Sequence, residues 1–156
     1  MTENGHHIIR LEFTSVFEML DFVQVVSDHL ARGVGLDEDS LHWVSVAIRE
    51  SVINAIKHGN RNDAEKHVFV EFETSMPSET PELTIRVRDQ GEGFDQELIA
   101  SPLDPENLLK SSGRGIFLIR NFMDDVQLQR APEGGMEIRM LKKVQPAESP
   151  DGSVQA

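Results

Sequence analysis

The chain has 156 residues, no cysteine and a formal net charge of −12 at neutral pH, with 38% hydrophobic and 27% charged residues. That make-up fits one globular domain. It excludes disulfides, thiolate chemistry and cysteine zinc sites. It offers no basic stripe for a nucleic-acid backbone, and no apolar run approaches the ~20 residues of a membrane span. Met1 to His7 lack the basic-then-apolar order of a secretory signal, so the expected location is cytoplasmic.

Residues 1–6 are polar and are expected to form a flexible N-terminus. His6 and His7 alone make no metal site. His7 to Phe13 carries β-favouring residues in partial alternation and predicts a strand. Ser15 and Glu18 have capping-box spacing, which predicts a helix opening there. Phe17, Leu20, Val23 or Gln24, Ser27 and Leu30 continue it, and Gly33 is placed to end it. A second helix is expected from about Asp39 to Gly59, capped by Asp37 or Asp39. At about 100° per residue, Leu41, Val44, Ile48, Val52, Ala55 and Ile56 share the arc that should face the core.

Glu50 and Asn54 stand one above the other, well round the helix from that arc. Trp43, Val46, Ala47 and Ile53 make this side apolar too, so it should be covered as well. A carboxylate and an amide in such a setting need partners, which water, a neighbouring loop or a ligand could supply. Next come a half-buried strand over 67–74, with Val68, Val70 and Phe72 pointing one way, a turn over 76–82, and a strand over 83–88.

That strand runs into Asp89-Gln90-Gly91-Glu92-Gly93, where two glycines let the backbone turn sharply and approach a ligand. A plain acidic turn would read the same. Residues 96–112 are long for a connection and are expected to form a lid or binding loop. Gly113-Arg114-Gly115 then precede a helix over 116–123, whose first-turn N–H groups would suit phosphate. Residues 126–130 and 136–142 predict a hairpin joined through Pro132 to Gly135. A polar tail, 145–156, is expected to be disordered, which leaves one domain over 7–144.

Three signals stand in order: Glu50-x-x-x-Asn54 on a helix, Asp89-x-Gly91-x-Gly93 after a strand, and Gly113-x-Gly115 opening a helix. With these motifs, over roughly residues 8–143, the chain resembles the GHKL-type (Bergerat) ATP-binding domains of gyrase, a heat-shock chaperone, histidine kinases and MutL. It looks most like the anti-sigma-factor serine/threonine kinases of bacterial stress and sporulation switches. The resemblance implies an α+β, two-layer α/β sandwich. Its sheet would be mixed and mostly antiparallel, with helices on one face and ATP held between helices and lid. It implies an ATP-dependent protein kinase that binds a sigma factor and phosphorylates a serine on a small anti-anti-sigma protein.

On that reading, Asn54 ligates Mg2+ through its neutral amide oxygen, and Glu50 is the base that accepts or orients the attacking hydroxyl. Asp89 accepts from the adenine amino group, Gly91 and Gly93 bring backbone close to the base, and Gly113 and Gly115 offer backbone to phosphates. Lys110 and Arg114 are the nearest cations for the β- or γ-phosphate, or else solvated loop charges. His58 suits packing or capping better than catalysis, and Trp43 suits the core better than base stacking. A homodimer is expected, with residues 7–32 as its candidate surface. The alternatives are a non-catalytic ATP-binding module that sequesters a partner, or a detached histidine-kinase catalytic domain without its dimerisation helix.

Overall fold

Alternation in the strands and a 3–4 spacing in the helices sort the apolar side chains to one side of each element. The computed structural model describes residues 6–75, 80–91 and 111–145. The order is β1 (His6–Thr14), α1 (Met19–Val34), α2 (Glu38–Asn54), a π turn (Ala55–Gly59), β2 (His67–Ser75), β3 (Glu82–Arg88), α3 (Ser111–Phe122), β4 (Asp125–Arg130) and β5 (Met136–Lys143). The five strands form one sheet in the order β1-β2-β3-β5-β4. Every described pairing is antiparallel, so the sheet is not the mixed one expected.

Phe13, Val68, Val70, Phe72, Leu83, Ile85, Val87, Ile138 and Met140 are buried on one face of the sheet. The helices meet that face with Leu20, Val23, Ala31, Leu41, Val44, Ile48, Val52 and Ile56. All six residues of the α2 arc are buried, Ala55 and Ile56 from within the π turn. The second apolar side of α2 is covered by α3, and Trp43 stacks on Phe122 with 3.6 Å between ring centroids and a 2° interplanar angle. Lys142 of β5 donates to the Phe122 carbonyl at 2.9 Å and caps the C-terminal end of α3. The opposite sheet face is open and charged. Across its strands run Arg10–Glu71, Arg86–Glu71 and Arg86–Glu73 pairs at 2.8, 2.7 and 3.4 Å.

Two local expectations change, and one left open between two residues is resolved. The capping box does not form: α1 begins at Met19, and Glu18 at its N-cap makes no capping bond. Ser15 instead donates its hydroxyl to the Lys66 carbonyl at 2.7 Å, which ties the end of β1 to the loop before β2 and leaves Phe17 exposed outside the helix. The left-handed residue that ends α1 is Gly35, at φ 99°, rather than Gly33. Of the two possible caps for α2 the structure uses Asp37, whose Oδ1 accepts from the Ser40 N–H at 2.7 Å; that bond holds its carboxyl below its usual value.

Candidate functional site

The α2 helix stays α-helical only to Asn54; the expected run to Gly59 ends in the π turn. The Asn60 N–H reaches back five residues to the Ala55 carbonyl, at 2.7 Å. Asn54 is therefore the last residue before the winding changes. Its side chain is buried, and Glu50, one turn earlier, is half-buried. Among the described residues neither side chain has a hydrogen-bond or ion-pair partner. A buried amide without a protein partner keeps its full donor and acceptor capacity for a ligand.

Asp89 follows β3 and is 2% exposed. Its N–H donates to the Met136 carbonyl at 3.0 Å, and its Oδ1 accepts from the N–H groups of Met136 at 3.1 Å and Gly91 at 2.9 Å. Burial raises its pKa above the ordinary 3.8; the two N–H donors and the charges of Arg88 and Lys66 pull it back in part. Oδ2 accepts no bond from the described residues, which leaves one oxygen for an outside donor.

Glycines make the space for this carboxylate. A Cβ on Gly59 would lie 2.0 Å from Asp89 Oδ2, one on Gly91 would lie 1.8 Å from the Gly59 carbonyl oxygen, and one on Gly135 would lie 2.1 Å from the Asp89 carbonyl oxygen. Gly135 also sits at φ 85°. Ser51, Asn54, Ala55, Val87, Asp89, Leu128, Met136 and Ile138 together line one cavity of about 20 Å³, enough for a single water and the floor of a site rather than the whole of it. Asn54 and Asp89 are thus brought to one cavity by α2 and the end of β3, with apolar walls from Ala55, Val87, Leu128, Met136 and Ile138.

Gly93, Lys110 and the expected lid up to residue 110 lie outside the described residues. Gly113, Arg114 and Gly115 do not precede the last helix: they fall within α3, which starts at Ser111. Its first turn, and with it the free N–H groups, therefore comes earlier than the sequence suggested. His58 is half-buried, and burial, helped by Lys57, lowers its pKa and keeps it neutral near pH 7. Trp43 belongs to the α2–α3 contact and does not line the cavity.

Sequence reasoning placed Ser15 in a capping box, Gly59 and Asn60 at the end of the motif helix and Gly135 in a hairpin turn, and linked none of them to the Asp89 loop that they support.

Residues 18–142 match the family model described as the histidine kinase-like ATPase domain. The anti-sigma F factor of Bacillus subtilis (strain 168) is 32% identical over 138 residues, covering 86% of this chain and 90% of its own length. The anti-sigma F factor of Oceanobacillus iheyensis is 33% identical over the same coverage. The serine-protein kinase RsbW of Staphylococcus epidermidis is 28% identical over 143 residues, 87% of this chain and 86% of that protein. Among solved structures, a crystallised Mycobacterium tuberculosis chain with RsbU and RsbW domains matches 90% of this chain and 34% of its own, at 15% identity and a TM-score of 0.62. That match speaks for the fold.

Proposed function

The chain belongs to the histidine kinase-like ATPase domain family, with anti-sigma kinases among its relatives, and from that premise we propose that it is an ATP-dependent protein serine kinase acting as an anti-sigma factor. Residues 7–144 form the kinase domain. The protein it sequesters is a sigma factor and the residue it phosphorylates is a serine, in line with the names of the relatives; the serine is carried by a small antagonist protein, as the family resemblance implies. The observation that carries the reading is that Asn54 and Asp89 line one cavity while Glu50 stands one helical turn from Asn54, without a partner among the described residues.

In this reading Asp89 Oδ2 accepts from the adenine amino group, because Oδ1 is already held by two N–H donors. Gly91, with Gly93, lets backbone approach the base. The side-chain oxygen of Asn54 fits a magnesium ligand: it is neutral, oxygen-bearing and not engaged by protein. Magnesium held there supplies positive charge that offsets the charge of the transferring phosphoryl group. Glu50 receives the serine proton as the new oxygen–phosphorus bond forms and the bond from the γ-phosphorus to the bridging oxygen breaks, with ADP as the leaving group. Lys110, Gly113, Arg114 and Gly115 are assigned to the phosphate end.

A homodimer is part of the proposal. It is supported by the unpaired outer edge of β1 and by Ile8, Phe17, Phe22 and Val25, which are exposed on or beside β1 and α1. A cytoplasmic location is also proposed; no described helix is long and apolar enough to cross a membrane.

The test is transfer of labelled γ-phosphate from ATP to a serine protein captured from native cells with this chain, with and without magnesium. Magnesium-dependent labelling of serine is expected. Tight binding of ATP and partner without transfer would replace the kinase with a nucleotide-regulated binding module.

A further inference from the structure

The loop that carries Asp89 is anchored by a residue outside the proposed chemistry. Asn60 is fully buried. Its Oδ1 accepts from the Gln90 N–H at 2.7 Å, and its Nδ2 donates to Ser15 Oγ at 2.7 Å and to the His67 carbonyl at 2.9 Å. The amide orientation follows from its partners, since a backbone N–H can only donate and a carbonyl can only accept. Ser15 donates its own hydroxyl hydrogen bond to the Lys66 carbonyl, so a lone pair is left to accept from Asn60. One side chain therefore joins the end of the Asn54 helix to the end of β1, the start of β2 and the residue after Asp89.

The contact between the π turn and the Asp89 loop otherwise sets the Gly59 backbone against the Asp89 carboxylate and Gly91 against the Gly59 carbonyl. The glycine clearances of 2.0 Å at Gly59 and 1.8 Å at Gly91 leave no room for a side chain between them. Among the described residues the Asn60–Gln90 bond is the one hydrogen bond between these two segments. On its far side Asp89 is fixed by Met136. The loop is thus held from both sides, and among the described residues only the Asn60–Gln90 bond ties it to the segment that follows Asn54.

We infer that Asn60 is a positioning residue that acts through Asp89: it sets the free Asp89 oxygen relative to Asn54 and so governs discrimination for a base with an exocyclic amino group. The inference rests on the nucleotide reading above. A hydrogen-bonded site rejects an analogue lacking its partner group only when the buried acceptor is held in place. Loss of the Gln90 anchor should therefore act on base selectivity more than on affinity contributed by phosphates.

The experiment titrates the full chain, with magnesium, with ATP and with inosine triphosphate, which lacks the amino group. The wild type is expected to prefer ATP at least tenfold. Asn60→Ala, at a temperature where circular dichroism shows it folded, should lose at least fivefold of that preference while keeping its inosine triphosphate affinity within twofold. Ser15→Ala removes a partner of Nδ2 but spares the Gln90 bond. It should melt earlier yet keep the preference within twofold, a split that a purely structural role would not produce.

Unchanged preference in Asn60→Ala, or equal loss in both variants, overturns the inference. No preference in the wild type overturns it together with the adenine reading, and is recognised before any substitution is made. Should Asn60→Ala not fold, amide exchange of Gln90 in the wild type decides: strong protection is expected, and open-loop exchange overturns the anchor.

Discussion

The two ends of the proposed nucleotide site are built in opposite ways. At Asp89 one carboxylate oxygen is held by two backbone donors, three glycines shape the space around the residue, and Asn60 fixes the loop. At Glu50 and Asn54 the side chains have no partners among the described residues. The base-recognising end is thus finished before ligand arrives, while the phosphate end is left for ligand to complete. Selectivity needs a fixed acceptor, because a mobile one adapts to the wrong partner. Phosphoryl transfer needs groups with unused valence, because their partners are the metal, the phosphates and the incoming hydroxyl.

The largest expected effect tests the open end. Glu50→Gln keeps the shape but cannot take a proton, so transfer to the partner serine should fall by about 10²–10⁴-fold. ATP affinity should stay within a few-fold, and Asn54→Ala should lose both. Labelled-phosphate transfer run beside calorimetry checks this; a wild-type rate in Glu50→Gln would remove the chemical half of the contrast.

Next comes the rigidity of the finished end. Gly135→Ala meets both a left-handed φ of 85° and a backbone oxygen at 2.1 Å. It should cost about 2–5 kcal/mol in urea denaturation. Gly134→Ala, at φ 102° but with nothing within 4 Å, should cost about 1–3 kcal/mol, from strain alone. Equal costs would show that the Asp89 loop yields easily.

Asp89→Asn sharpens the contrast through pH. Burial raises the Asp89 pKa, so between 3.8 and the raised folded value the native state binds more protons than the unfolded one. Stability contributed here therefore falls as pH rises through that window and is lower by a constant amount above it. Asparagine can keep the Oδ1 bonds without the buried charge. The variant should match or exceed wild-type stability at pH 7 while ATP affinity drops by about tenfold or more, as expected where a functional group is held at a cost to the fold. Paired melting and binding curves check both signs, and wild-type affinity would remove Asp89 from recognition.

The smallest effect lies outside the site. Ser27 Oγ is buried in α1 without a hydrogen-bond partner. Ser27→Ala should therefore raise stability, by up to about 1 kcal/mol, with no change in ATP binding. A loss of stability would point to a hidden partner for the hydroxyl.

Much of this was legible from local pattern. The α2 arc from Leu41 to Ile56, the inward Val68, Val70 and Phe72, and the 130–136 hairpin depend on periodicities that neighbouring residues enforce. Glu50, Asn54 and Asp89 were singled out because motif order limited the choices. What escaped depends on long-range bonds. Ser15 reads as a helix cap from its own neighbours, and only Lys66 and Asn60, far along the chain, change its role. Gly135 reads as a turn glycine, and its tight fit against Asp89 needs the register of β3 on β5. The antiparallel pairing throughout the sheet is likewise a property of topology rather than of any one strand.

The π turn sets a rule about length. A π turn holds one more residue than the α-helical turn it replaces, so Ala55–Gly59 amounts to a resident insertion. Removing any one of those residues would let the helix close normally and would pull Gly59 and Asn60 about 100° round the axis. A side chain could then face Asp89 where now there is only a hydrogen atom. Homologous segments should accordingly vary in composition along the exposed face of this turn while holding its residue count constant, and grafting the α2 segment onto another scaffold would succeed only if the surplus residue travelled with it.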